Sequence, residues 1–239
     1  MLEDSSKKRK VAENTMKIVI IGESHTRQFA LRKGVIPLFA GNGKNINLDN
    51  PDIVQEKINS VTKTKKYNFE KKTFLYIGEP NCRIKLRGHW TPHWDELRYG
   101  IKVKSKVDKN YLNECVSKYK DLDLRGVDYL VTPTCAYDPV IPSLIYFNDL
   151  LKSEFKTKVI DIFSHTYDDN MKVKEDFKAK DWLKDPIHLN SKASDIFFSE
   201  LKDRNIIEDV RNYLPEIEGH FGTHIIFEKD RTKFGTYIL

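Results

Sequence analysis

Short apolar runs recur along this chain, each followed by a small or polar residue. KIVII (17–21) is a continuous branched run with no polar face, the pattern of a strand buried on both sides, as in a parallel sheet. VIPLFAGNG (35–43) reads as a second strand entering a glycine-rich turn. KTFLYIGEPNCR (72–83), VDYLVTPTCAYDP (127–139) and KVIDIFS (158–164) read as three more. Between these runs apolar residues recur at helical spacing. Leu112, Cys115, Val116 and Tyr119 mark one face of a helix within 108–122. IPSLIYFNDLLKSEF and SKASDIFFSELKDRN are also helical in pattern. A short helix is expected around IVQEKINSV, and another after the first strand, from Phe29 and Leu31 to a closing Gly34. Alternation of strands and helices predicts an α/β protein with a mostly parallel five-stranded sheet covered on both faces.

Three segments fall outside that alternation. Residues 1–15 are polar and without periodicity and are expected to be a disordered basic tail. Residues 84–106 form an insertion rich in His, Trp, Arg and Tyr, a candidate lid. Residues 206–239 form a C-terminal extension whose end, HIIFEKDRTKFGTYIL, reads as a hairpin. The domain proper is therefore expected over 16–205.

Composition narrows the class. The chain has 239 residues with 39% hydrophobic content, enough for one sizeable core. Net charge is +6, but 41 basic residues are interleaved with 35 acidic ones rather than gathered in a stripe, which argues against specific nucleic-acid binding. Lys7 to Lys10 resembles a basic nuclear-import signal, although a solvated tail is the preferred reading. Three cysteines without C-x-x-C spacing point to a reducing, intracellular setting, cytoplasmic or, through Lys7 to Lys10, nuclear. No apolar run is long enough to span a bilayer.

Ligands of doubly wound sheets sit outside the carboxyl ends of the strands. The loops that matter are thus Gly22-Glu23-Ser24, Gly41-Asn42-Gly43, Gly78 to Arg83 and Thr132 to Asp138. Ser24 is either a helix cap or a nucleophile. As a nucleophile it needs a base and an acid to orient that base. Asp185-Pro186-Ile187-His188 supplies both within one turn, stiffened by its proline. Asp161 and His165 are a rival pair, ranked lower because Asp161 lies in a strand pattern. Donors for an oxyanion are the Ser24 N–H, an N–H at Gly41 or Gly43, and the Asn81 side chain. Arg83, Trp90 and Trp94 suit substrate binding, the rings for stacking and the guanidinium for an anion. His89, His93 and Asp95 have metal-like spacing, but Pro92 breaks the helix they would need, and no metal is expected. Cys135 reads as a small buried residue.

The order of these groups resembles the SGNH hydrolase superfamily, also called the GDSL esterase and lipase family. Gly22-Glu23-Ser24-His25 is similar to its first block, with Glu in place of the usual Asp. Gly41 or Gly43 is similar to the second. Gly78-Glu79-Pro80-Asn81 is similar to the third, with Asn81 one position late. Asp185-Pro186-Ile187-His188-Leu189-Asn190 matches the last most cleanly. The resemblance covers about residues 16 to 203. It implies a flavodoxin-like three-layer α/β/α sandwich, with Ser24 as nucleophile, His188 as base, Asp185 as its orienter and no cofactor. It also implies an ester substrate, and the Trp and Arg of the insertion, in place of a continuous apolar wall, favour a carbohydrate O-acetyl ester. Acyl transfer by the same triad and a catalytically silent binding module remain open beside it. The oligomeric state is not specified.

Overall fold

In a computed structural model of the protein, the structure describes residues 16–30, 32–40, 46–84, 99–100, 102–179 and 186–216. Five strands form one parallel sheet: β1 (Lys17–Gly22), β2 (Val35–Phe39), β3 (Lys71–Tyr76), β4 (Tyr129–Val131) and β5 (Val159–Ile160). Their spatial order is β2-β1-β3-β4-β5, the flavodoxin-like order. Gly22, the last residue of β1, pairs with Phe39 of β2 on one side and Tyr76 of β3 on the other. The carboxyl ends of β1 and β3 therefore meet at the point where the winding direction reverses.

Both faces of the sheet are covered, which is why β1 has no polar side. Val19 and Ile21 point into one core with Leu75 and Leu130. That core is closed by α1 (Pro51–Thr62), α3 (Lys109–Asp121) and α4 (Ile141–Phe155) through Ile58, Tyr119 and Phe147. Ile18 and Ile20 point to the other core, closed by Phe197, Phe198 and Leu201 of α5 (Lys192–Asp203). This is the three-layer α/β/α sandwich that the alternation and the family resemblance both imply. The thiols of Cys82, Cys115 and Cys135 are free and buried.

Three local expectations change. The segment after β1 is a 3-10 turn over Ser24–Phe29, not an α-helix. His25, Thr26, Gln28 and Phe29 are all buried, so the segment has no solvent face for a regular amphipathic helix. Gly34 does not cap a helix. It takes a positive φ of 69° just before β2, and the Tyr213 ring lies 3.2 Å from where a Cβ would sit. Finally, GEPNCR is not loop but a short helix, α2 (Glu79–Ile84). Gly78 makes the strand-to-helix change at φ 117°, in a position where a Cβ would lie 2.7 Å from Phe147.

The packed body continues past residue 205. Tyr213 is buried and stacked on Phe198, with ring centroids 5.1 Å apart, and its hydroxyl donates to the Met16 carbonyl at 2.8 Å. Arg32 donates to the Tyr213 carbonyl at 3.1 Å and forms an antiparallel bridge with Pro215. The tail 1–15, most of the insertion and the terminal hairpin lie outside the described residues. No helix among the described residues is long and apolar enough to cross a membrane.

Candidate active site

The sheet delivers Ser24 to the reversal point. Gly22 is needed there because any Cβ would fall 2.1 Å from the Tyr76 carbonyl oxygen of the neighbouring strand. Glu23 then leaves the sheet in extended conformation, and Ser24 opens the 3-10 turn. Thr26, not Ser24, folds back onto the turn, donating from Oγ1 to the Glu23 carbonyl at 2.8 Å. The Ser24 hydroxyl makes no cap. It lies 2.7 Å from Nε2 of His188, a residue 164 positions away, and Ser24 is only partly buried.

His188 is held by the segment around it. Ile187 accepts from the Ala136 N–H at 2.8 Å, which ties the segment to the loop after β4. Leu189 is buried in the core. The Asn190 amide donates to the Asp176 carbonyl at 2.8 Å and the Lys178 carbonyl at 3.0 Å, while its oxygen accepts from Lys192 N at 2.9 Å. Three residues of one short segment thus have separate anchors, and the imidazole between them has little freedom to drift.

Beneath this pair is a buried polar cluster. The rings of His25 and His188 lie 4.4 Å apart, tilted by 45°. His25 Nε2 is 3.3 Å from Glu79 Oε2. Arg83, one helical turn after Glu79, grips the same carboxylate with two bonds: Nε to Oε1 at 2.8 Å and Nη2 to Oε2 at 3.1 Å. Glu23 Oε1 accepts from the Glu79 N–H at 3.2 Å, at the start of α2. All four side chains are buried.

Their protonation follows from that burial. Burial, and then the neighbouring Glu79 charge, pushes the Glu23 carboxyl well above its ordinary range, toward its protonated form. Burial also raises Glu79, but Arg83 and His25 outweigh it and hold Glu79 well below the usual carboxylate range. Burial, with the facing His188, lowers His25 to about 4, so its ring is neutral at neutral pH. The Glu79–Arg83 ion pair therefore sits beside a carboxyl and an imidazole that burial drives toward their neutral forms.

The remaining expected residues are placed as follows. Asp185, Gly41, Gly43, Trp90 and Trp94 lie outside the described residues, as do His89, His93 and Asp95. Asn81 is fully buried on α2, where Oδ1 accepts from Leu48 N–H at 3.0 Å and Nδ2 donates to the Tyr111 hydroxyl at 2.9 Å. Its amide serves as a strut between segments rather than a donor held ready for an oxyanion. Arg83 is a second correction. It is not a surface group awaiting substrate but the buried partner of Glu79. Asp161 and His165 are not brought together: Asp161 meets Lys152 at 3.1 Å, and His165 lies 3.4 Å from Glu200. Among the described residues no group of three or more His, Cys, Asp or Glu could hold a metal.

His25, and Glu79 as the partner of Arg83, were not among the expected site residues. A signal was present. Gly-Glu follows both β1 and β3, and Glu79 and Arg83 have the i,i+4 spacing of a helical ion pair.

No protein-family model matches the sequence, and no curated protein matches it significantly. Several solved structures are similar. One is a Streptococcus pneumonia protein described provisionally as a platelet activating factor, at 13% identity over 82% of this chain and 86% of its own, with a TM-score of 0.45. Another is a Bacteroides fragilis protein described provisionally as an acylhydrolase, at 14% identity over 82% and 88%, with a TM-score of 0.47. A third, from Desulfitobacterium hafniense, is described provisionally as a lipolytic protein of the G-D-S-L family, at 10% identity over 79% and 98%, with a TM-score of 0.44.

Proposed function

We propose that the chain is a serine esterase or deacylase in which Ser24 is the nucleophile and His188 the general base. One observation carries the reading: the Ser24 hydroxyl and His188 Nε2, 2.7 Å apart, at the carboxyl edge of the sheet. Ser24 Oγ attacks the ester carbonyl carbon while its proton passes to His188 Nε2. The oxyanion that forms is met by the Ser24 N–H, at the open end of its turn, and by an N–H at Gly41 or Gly43. The tetrahedral intermediate collapses, and the alcohol departs with the proton from His188. Water, activated by His188, then releases the acid and restores Ser24. Asp185 orients the imidazole in this scheme, three residues before His188 in sequence.

The substrate reading draws on a cavity that reaches Pro186, two residues before His188 in sequence. Ala136, Tyr137, Asp138, Pro139, Glu175, Lys178 and Pro186 line a cavity of about 420 Å³. Asp138, Glu175 and Lys178 supply polar groups for the hydroxyls of a carbohydrate O-acetyl ester, and Ala136, Pro139 and Pro186 supply apolar surface beside them.

A second reading is a binding module without catalysis. It is favoured by Asn81, whose amide is engaged by Leu48 and Tyr111. Labelling with a fluorophosphonate probe separates the two. The esterase reading expects a covalent adduct on Ser24 that is largely lost in His188→Ala. A folded wild type that takes no label would move the binding-module reading to first place.

A further inference from the structure

The cluster beneath Ser24 and His188 is expensive. A fully buried ion pair commonly contributes no more stability than apolar side chains of the same volume. Here the pair is joined by a buried imidazole neither of whose nitrogens has a hydrogen bond among the described residues, Nε2 facing the Glu79 carboxylate at 3.3 Å. It is joined too by a carboxyl whose Oε2 has none. A core assembled only for stability would place apolar groups at these positions. The contacts instead run in one direction. Arg83 fixes the Glu79 carboxylate by two bonds, Glu79 faces His25, and the His25 ring faces His188 at 4.4 Å. The chain of contacts ends on the proposed base.

We propose that His25 is a positioning residue for His188. Its ring is the wall against which the His188 imidazole is held toward Ser24, and the Glu79–Arg83 pair keeps that wall in place. The inference rests on the esterase reading above. His25 does not act on the substrate. It is 1% exposed, and its ring lies between Glu79 and His188 rather than in the opening. Being neutral matters. A cationic ring this close would oppose the positive charge that His188 gains when it takes the proton of Ser24, whereas a neutral ring backed by a carboxylate does not.

The test compares His25→Phe, which keeps a flat ring, with His25→Leu, which fills similar space without one. Hydrolysis of p-nitrophenyl acetate, the rate of fluorophosphonate labelling and the melting temperature are measured on each. His25→Leu should lose about tenfold or more in kcat and in labelling rate with KM nearly unchanged, the order expected when a catalytic group is misplaced. His25→Phe should retain most of both. Equal rates in wild type, Phe and Leu variants would overturn the inference while leaving the esterase reading intact. A wild type that takes no label would instead remove the reading on which it rests. Should His25→Leu fail to fold, the wild type still decides. With isotope-labelled histidine, a nuclear Overhauser contact between the two rings is expected, and its absence overturns the inference.

Discussion

Two hollows at different places on the sheet make opposite use of charge. At the carboxyl ends of β1 and β3, four ionisable side chains are buried beneath a partly exposed serine. At the starts of β4 and β5 lies a wider cleft of about 1000 Å³. It is lined by Lys152, Lys156, Lys158 and Arg204, with Asp128 and Asp161 among them. Size alone would select the second. Its ion pairs, though, keep contact with water: Lys152 with Asp161 at 3.1 Å and with Asp149 at 3.2 Å, and Arg204 with Glu200 at 3.6 Å, all have partly exposed side chains. Pairs of that kind contribute about 0–1 kcal/mol and need no special explanation. Lys152, Lys156 and Lys158 also sit at the carboxyl end of α4, where cations complement the helix dipole. The buried cluster has no such ordinary account. Polar groups withdrawn from water, more than the volume of a cavity, set apart the end of the sheet to which the proposed chemistry is assigned.

The sharpest way to break this contrast is to remove one side of the buried pair. Arg83→Ala leaves the Glu79 carboxylate in the core without its cation. The expected loss is about 3–5 kcal/mol, read as a large fall in the denaturant midpoint. A loss of under about 1 kcal/mol would show that water reaches Glu79, and the two regions would then differ in degree only.

Next comes the pH dependence of stability. The folded state holds the His25 pKa at about 4, below its ordinary value of 6.5. Unfolded chains therefore bind a proton that folded ones do not between those values. The His25 contribution to stability should rise with pH across that window and level off above it, by at most about 1.4 kcal/mol per pH unit, read as the difference between the wild-type and His25→Phe slopes. In His25→Phe this part of the slope should vanish. A slope unchanged in the variant would mean that His25 is solvated.

Glu23 has the opposite sign. Its folded pKa is raised well above the ordinary carboxylate value. Its contribution is thus present in acid and lost as pH rises through the folded value. Glu23→Gln mimics the protonated form. It should gain stability relative to wild type above the ordinary carboxylate range and match it in acid. A variant that loses stability at neutral pH would show that Glu23 is ionised beside Glu79.

Much of this molecule is legible in its residues. KIVII has no polar face because Val19 and Ile21 enter one core while Ile18 and Ile20 enter the other. The pairing of Ser24 with His188 was legible from the order of motifs, although 164 residues separate them. What could not be read is the buried cluster. Hydrophobic periodicity treats Glu79 and Arg83 as a solvated turn, and only the tertiary fold places that turn under a neighbouring loop. The partners of Asn81 were hidden for the same reason. An amide after a strand looks ready to bind a ligand until α2 turns it toward Leu48 and Tyr111.

The smallest expected effect lies in the wide cleft. Lys156 and Lys158 are exposed and form no ion pair among the described residues. Changing both to alanine removes two surface charges and no packing. Stability should move by no more than about 0.5 kcal/mol per site, the range for surface positions without a specific partner. Fluorophosphonate labelling of Ser24 should keep its rate, because exposed charges are screened by salt and this cleft adjoins the starting ends of β4 and β5. The double variant is also the control for Arg83→Ala, since both remove cationic side chains and differ in whether the charge was buried. If Lys156→Ala/Lys158→Ala slowed labelling as much as His25→Leu is expected to, burial would not be what separates the two ends of the sheet. The wide cleft would then have to be counted as part of the site.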